Sequence, residues 1–149
     1  MDLDEEITMR IIIINGPNLD ILGKREPAIY GTMSLRDIEN RLKEKFPNVS
    51  FEFYQSNSEG PLIDALHRGL EGNTDGVVLN PGAFTHYSFA IRDAVAALKI
   101  PVIEVHLSNV QAREEFRRES VIAPACKGVI AGFGARVYDL AVEYILEQK

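Results

Sequence analysis

Short runs of branched and aromatic apolar residues alternate along this chain with segments in which apolar residues recur every three or four positions. The first run, "IIIIN", has no polar position until its end, which is typical of a strand buried on both faces of a parallel sheet. The alternation with amphipathic segments is the pattern of βαβ units. Five strands are predicted, at residues 10–15, 49–55, 76–80, 101–106 and 128–132.

The amphipathic segments predict four helices. Ser34 is placed to cap the first, "LRDIENRLKEKF", and Pro47 ends it. The other three are predicted at about residues 59–70, 87–98 and 135–146. The residues predicted to face inward in the last helix are Val137, Leu140, Ala141, Tyr144 and Ile145.

Five parallel strands joined by right-handed crossovers predict an α/β, flavodoxin-like three-layer sandwich with strand order 2-1-3-4-5. In such a sheet the carboxyl ends of the strands meet at one crevice, where ligands bind. Four of the predicted strands end in or beside polar side chains, namely Asn15, Gln55, Asn80 and His106. The functional site is therefore expected at this edge of the sheet.

Composition and charge narrow the class of protein. The 149 residues fit one domain, predicted at residues 10–149 after an acidic tail at residues 1–9. A net charge of -6 and the lack of a basic block argue against a nucleic-acid surface. Cys126 is the lone cysteine, and no apolar run approaches the roughly 20 residues of a membrane helix. The start "MDLDEEIT" is acidic, unlike a secretory signal. These features predict a cytoplasmic protein.

Several common cofactor and catalytic motifs are absent. The first strand is followed by "NGPN" where a dinucleotide-binding fold has G-x-G-x-x-G, and there is no G-x-x-x-x-G-K-[ST] phosphate loop. None of the lysines stands at the end of a predicted strand, where it would be placed to form a Schiff base. H-E-x-x-H, paired cysteines and G-x-S-x-G are missing as well. The sequence therefore predicts no metal site and no nucleotide cofactor.

Acids and bases stand at the predicted strand ends instead. Glu104 and His106 are two apart on one strand, so they share a face and the carboxylate can orient the imidazole. His86 stands at the start of a helix, either in the site or as a capping or solvent-facing residue, and Thr85 is also placed to cap. His67 has no polar companions and is predicted to lie on the surface.

Two arginines follow the Glu104 strand. Arg113 and Arg117 are four apart, which puts them on one face of a short helical stretch and favours an anion site. The alternative is an exposed turn in which Glu114 pairs with Arg118. Spacing alone leaves both interpretations open.

Arg25 and Tyr30 lie five apart in the loop after the first strand. A loop tyrosine commonly packs its ring and leaves its hydroxyl in water. A guanidinium held against that ring would favour the phenolate, which is a base. The glycines and prolines of this loop allow the two side chains to meet.

Four long blocks carry a resemblance to a known family. The chain resembles the type II 3-dehydroquinate dehydratases in "NGPNLDILGKREPAIYG", "QSNSEG", "VVLNPGAFTHYSFAIRDA" and "IEVHLSNVQAREEFRRESVIAPACKGVIAGFG", in order and spacing. The match runs from about residue 10 to residue 145. Asp20 departs from the Asn that the family often has, and the acidic leader precedes the family's usual start.

The resemblance implies an anti elimination through an enolate or enol intermediate, converting 3-dehydroquinate to 3-dehydroshikimate without cofactor or metal. Tyr30 is then the base, which Arg25 holds as phenolate. His106 is the acid that protonates the departing hydroxyl, and Glu104 steers it. Asn18 helps to hold a water that stabilises the enolate.

The resemblance also implies a substrate-binding set and an assembly. Asp93 matches a residue that reaches into a neighbouring subunit's site, and the family often forms a dodecamer built from trimers. The residues that match the family's substrate contacts are Asn80, His86, Leu107, Ser108, Arg113 and Arg117. A role in aromatic amino acid biosynthesis and one in quinate catabolism both stay open.

Two other functions are compatible with the same fold. A flavin-binding protein would need a first loop rich in Ser or Thr to hold the phosphate, and "NGPNLDILG" has neither. A noncatalytic interaction module would keep the sheet without needing the histidines and arginines at its edge. The absence of flavin absorbance tests the first, and turnover of dehydroquinate tests the second.

Overall fold

The apolar runs form one parallel sheet. The computed structural model describes residues 6–148, so residues 1–5 of the predicted acidic tail, and residue 149, lie outside the described residues. The strands are ordered β2-β1-β3-β4-β5, which confirms the predicted order. Their bounds are β1 Met9–Asn15, β2 Val49–Gln55, β3 Gly76–Asn80, β4 Val102–His106 and β5 Gly128–Ala131. β1 begins one residue before the predicted start because Met9 is buried and pairs with Val49.

Helices cover both faces of the sheet, so the predicted three layers are confirmed. Their bounds are α1 Pro27–Tyr30, α2 Leu35–Lys45, α3 Glu59–His67, α4 Phe89–Ala96 and α5 Arg136–Leu146. Ile11 and Ile13 of β1 belong to the core that α2 and α5 cover, whereas Ile12 and Ile14 belong to the core under α3 and α4. Successive strand residues face opposite sides, which is why the isoleucine run has no polar position.

Local polar contacts set where two helices begin. The Ser34 side chain accepts a hydrogen bond from the Asp37 N–H at 3.0 Å, and Asp37 accepts one from the Ser34 N–H, so the predicted cap of α2 is present as a reciprocal capping box. Ser88 caps α4 by accepting from the Ile91 N–H at 3.1 Å. α4 therefore starts at Phe89, two residues after the predicted start, and the predicted capping role of Thr85 is wrong.

The inward face of α5 differs from the predicted one. Val137, Ala141 and Ile145 are buried as expected, but Leu140 is 37% exposed and Tyr138 is fully buried in its place. The reason is an ion pair with α2. The buried Asp139 carboxylate accepts hydrogen bonds from Arg41 at 2.7 Å and from Lys45 at 3.0 Å. This contact joins the Asp139 side of α5 to α2.

The ends of β1 and β3 approach each other closely below the predicted site. The Gly16 N–H donates to the Asn80 carbonyl at 2.8 Å, and a Cβ on Gly16 would lie 2.6 Å from the Pro81 carbonyl oxygen. Only glycine fits there without moving the backbone. The glycine of "NGPN" thus lets these two strand ends pack directly against each other.

No helix among residues 6–148 is long and apolar enough to span a membrane.

Candidate active site

A small pocket lies at the carboxyl edge of the sheet, where the sequence predicts the site. Its free space is about 60 Å³, and a cavity of about 340 Å³ shares Tyr30, Leu107, Ser108 and Arg113 with it. The side chains and backbone that line it are those of Pro17, Asn18, Leu19, Arg25, Tyr30, Asn80, Gly82, Ala83, His86, His106, Leu107, Ser108, Val110, Arg113 and Arg117. The loop after β1 forms one wall, and the segments after β3 and β4 form the other.

A histidine and a buried carboxylate form a pair at the end of β4. His106 Nε2 lies 2.6 Å from Glu104 Oε2, and Glu104 is 1% exposed. A carboxylate oxygen accepts, so Nε2 carries the hydrogen and Nδ1 is the ring nitrogen left for a ligand. The pair can therefore hold an imidazolium whose charge is balanced by a carboxylate.

Two hydroxyls that the sequence interpretation did not assign to the site hold that carboxylate from behind. Thr85 donates to Glu104 Oε2 and Ser120 donates to Oε1, each at 2.9 Å. Ser120 in turn accepts from the backbone N–H groups of Ile122 and Ala123, which ties this loop to β4. Both hydroxyls lie in segments without apolar periodicity, so no sequence pattern pointed to them.

Arginine side chains lie over the ring of Tyr30. The Arg25 guanidinium carbon is 4.4 Å from the ring centroid, and that of Arg113 is 5.1 Å from it. Arg113 also donates to the Ser108 hydroxyl at 3.3 Å. The face of the phenol ring thus lies against two guanidinium groups.

The start of this loop is held by the polar end of β2. Asn18 has a left-handed backbone with φ of 69°, and its N–H donates to the Asn57 side chain at 2.9 Å. Gln55 reaches the same Asn57 oxygen and the Gly16 carbonyl, each at 3.2 Å. The "QSNS" segment therefore supports the first loop and does not itself line the pocket.

His86 and Arg117 lie at the far side of the pocket. The His86 ring donates from Nδ1 to the Glu119 carbonyl, at 2.6 Å, because a carbonyl can only accept; Nε2 is left free to accept. Arg117 donates to Glu114 at 2.9 Å, so the predicted pairing of Glu114 with Arg118 is wrong. That hydrogen bond lowers the pKa of Glu114. His86 thus lines the pocket and caps no helix.

Two polar strand ends meet under the pocket. The Asn80 amide nitrogen donates to the Tyr138 hydroxyl at 3.1 Å, and that hydroxyl donates to the Asn15 side-chain oxygen at 2.5 Å. Asn80 and Asn15 are register partners on β3 and β1. The sequence interpretation missed Tyr138 because it assigned Leu140 of α5 to the core in its place.

The remaining candidates lie outside the pocket. Asp93 is an exposed residue of α4 and does not line it. His67 is exposed at the end of α3, as predicted. No lysine among residues 6–148 lines the pocket, and that part of the chain has no group of three or more His, Cys, Asp or Glu side chains arranged for a metal ion.

Comparison with known proteins assigns the family. The family "Dehydroquinase class II" matches residues 9–146. The chain belongs to this family. It is 60% identical over 138 residues to a 3-dehydroquinate dehydratase of Bacillus licheniformis, covering 91% of this chain and 94% of the relative.

Solved structures of class II dehydroquinases have the same fold as this chain. The enzyme from Butyrivibrio crossotus superposes with a TM-score of 0.90 at 48% identity, covering 93% of this chain and 97% of that one. The enzyme from Propionibacterium acnes also reaches 0.90, at 42% identity, covering 95% and 99%. The family resemblance of the sequence is therefore confirmed.

Proposed function

We propose that this class II dehydroquinase dehydrates 3-dehydroquinate to 3-dehydroshikimate and water. The names of its relatives support the substrate, because the chain spans nearly their whole length. The observation that carries the chemistry is that a phenol under a guanidinium, 4.4 Å away, shares one pocket with a histidine that is paired to a buried carboxylate. The site thus offers a base and an acid of opposite charge.

In this proposal Tyr30 removes the proton from the carbon beside the ketone. Phenol is a poor base at neutral pH because little of it is ionised. In this proposal the Arg25 and Arg113 guanidinium groups over its ring favour the phenolate through their positive charge. Arginine stays protonated, so neither group acts as the base that accepts the phenol proton. The result is an enolate or enol intermediate with negative charge developing on the former ketone oxygen.

Asn18, near the start of the loop that follows β1, assists this first step. It lines the pocket beside Tyr30, and its backbone is anchored through Asn57. We propose that its side chain holds a water that donates to the developing enolate oxygen. Donors fixed before the charge appears stabilise it without reorganisation.

His106 completes the elimination as the general acid. Its Nε2–H is engaged by Glu104, so Nδ1 delivers the proton to the departing hydroxyl, which leaves as water. Glu104 steers the imidazole by accepting from Nε2, while Thr85 and Ser120 keep the carboxylate oriented. In an anti elimination the base and the acid act from opposite faces of the substrate ring.

The other lining residues bind the substrate. We propose that Ser108 and the neighbouring backbone of Leu107, together with Arg113, hold the substrate carboxylate, because all three residues line the pocket. We propose that Asn80, His86 and Arg117, which also line the pocket, hold its hydroxyls. We propose that the loop that carries Arg25 and Tyr30 moves outward for the substrate to enter, since both side chains line the narrow pocket of about 60 Å³. Closure then excludes water from the reaction.

Assembly forms part of the proposed site. We propose that Asp93 contributes to the pocket of a neighbouring subunit in a dodecamer built from trimers, in a cytoplasmic enzyme with a single catalytic domain at residues 10–149. Support comes from α4, where Asp93 is exposed and the nearby Tyr87 and Phe89 are 58% and 61% exposed. Large exposed aromatic side chains favour a subunit contact.

The direct test is turnover of the substrate. Purified protein is incubated with 3-dehydroquinate, and the absorbance of the conjugated enone in the product is followed. The expected result is a rise that requires protein, is lost with His106→Ala and is kept with His67→Ala, because His67 is an exposed histidine outside the pocket. A folded wild-type protein that produces no enone would overturn the proposal.

A further inference from the structure

A fully buried tyrosine joins the ends of two strands below the proposed site. Tyr138 of α5 has no exposed surface, yet its hydroxyl reaches the last side chain of β1, Asn15, and the last side chain of β3, Asn80. Asn80 lines the pocket, whereas neither Tyr138 nor Asn15 does. The hydroxyl is thus one hydrogen bond away from a residue proposed to bind substrate.

The direction of each hydrogen bond in this group is determined by a backbone donor. The Gly82 N–H donates to Asn80 Oδ1 at 3.2 Å, and only the amide oxygen can accept it. Asn80 therefore turns its nitrogen toward Tyr138, whose oxygen must accept. The single hydroxyl hydrogen then goes to Asn15 Oδ1. Burial raises the pKa of Tyr138, so the hydroxyl keeps this hydrogen at any working pH.

This arrangement defines what Asn80 offers to a ligand. An amide nitrogen has two hydrogens and an amide oxygen has two lone pairs. Tyr138 engages one hydrogen and Gly82 engages one lone pair. One donor and one acceptor therefore remain on Asn80, in fixed positions.

Packing alone does not require the polar atoms of this group. Asn15 ends a run of four isoleucines, and its amide nitrogen is buried with no hydrogen-bond partner among the described residues. Such an atom lowers stability. An apolar residue at position 15 with Phe at position 138 would fill the same space. The polar side chains of Asn15 and Tyr138 are explained by hydrogen-bond direction. Because Asn15 accepts the hydroxyl hydrogen of Tyr138, the Tyr138 oxygen is free to accept from Asn80.

We propose that Tyr138 is a positioning residue for substrate binding, which orients the Asn80 amide by accepting from its nitrogen while donating to Asn15. The inference rests on the proposed function, because Asn80 is taken to hold a substrate hydroxyl. Tyr138 itself does not touch the substrate. Its hydroxyl acts only through Asn80.

The test is a double-mutant cycle on kcat/KM for 3-dehydroquinate. Tyr138→Phe is expected to lower kcat/KM about tenfold, the size of one misplaced hydrogen bond, mainly through KM. In an Asn80→Ala background the same change is expected to have less than a twofold effect, because the residue through which it acts is gone. Tyr144→Phe, on the same helix and outside the pocket, is the matched control and is expected to leave kcat/KM unchanged.

The outcomes separate the two proposals. A wild-type protein without turnover would overturn the proposed function and the role of Tyr138 with it. An active wild type in which Tyr138→Phe has equal effects in both backgrounds, or no effect, would overturn only the role of Tyr138. If Tyr138→Phe does not fold, Asn15→Leu decides: it removes the acceptor of the Tyr138 hydrogen, and it is expected to lower kcat/KM although it is not a lining residue. An Asn15→Leu protein with wild-type kcat/KM would overturn the role.

Discussion

Replacing Glu104 by Gln tests whether the buried carboxylate supports the acid. The side chain receives three hydrogen bonds, from Thr85, Ser120 and His106, on two oxygens. Gln keeps the shape but has one accepting oxygen and no charge. At least one of the three donors must then face an amide nitrogen, and the imidazolium loses its counter-charge.

The magnitude follows from the separation of the two charges. His106 Nε2 and Glu104 Oε2 are 2.6 Å apart, and Glu104 is 1% exposed, so water does not screen the pair. With charge centres about 4 Å apart and an effective dielectric constant near 20, the attraction between an imidazolium and this carboxylate is about 4 kcal/mol. A neutral hydrogen bond to Gln offsets part of it, so we expect kcat to fall about 10²- to 10³-fold.

The assay is steady-state turnover of 3-dehydroquinate across pH, with Glu115→Gln as the control because Glu115 is exposed and outside the pocket. KM is expected to change little, since Glu104 does not line the pocket. A folded Glu104→Gln protein whose kcat stays within a few fold of wild type would refute the reasoning.

Three further changes test other parts of the account. Borohydride added with substrate should leave the enzyme active, because no lysine among residues 6–148 lines the pocket; irreversible loss of activity with label on a lysine would contradict this. Asp93→Ala should raise KM in the assembled protein, and an assembled variant with wild-type kcat/KM would exclude a cross-subunit role. Burial raises the pKa of the Cys126 thiol from 9.0 to about 12. Alkylation by iodoacetamide at pH 8 should therefore be about 10³-fold slower in the folded protein than in urea, and it should speed up as pH rises. Equal rates in the folded and unfolded protein would contradict the burial.

The fold was largely predictable from the sequence because its cues are local and repeated. Runs of branched residues located each of the five strands to within one residue at either end. Ser34 and the Pro47 stop placed α2 correctly. α5 was placed correctly, but its inward face was wrong at Leu140 and lacked Tyr138, because the ion pair of Asp139 with α2 is a contact between distant residues that no periodicity records.

The candidate site was predictable in part, for a different physical reason. Parallel strands bring their carboxyl ends together, so polar ends such as Asn80 and His106 could be assigned to one edge from order alone. Thr85 and Ser120 could not, because their role depends on a loop folding back onto Glu104. Hydroxyl residues in loops are too common for their spacing to predict such a contact.

The central claim is that Tyr30, under Arg25, is the base. The measurement that tests it most directly is the single-turnover rate of Tyr30→Phe with 3-dehydroquinate, with substrate binding followed in parallel. For Tyr30→Phe we predict a loss of at least ~10²- to 10⁴-fold in rate with binding largely retained. For Arg25→Ala we predict a residual activity that increases toward higher pH. Arg25→Lys is expected to stay impaired because lysine lacks the planar guanidinium. A folded Tyr30→Phe protein that turns over substrate within a few fold of wild type would contradict the account, because another group would then take the proton.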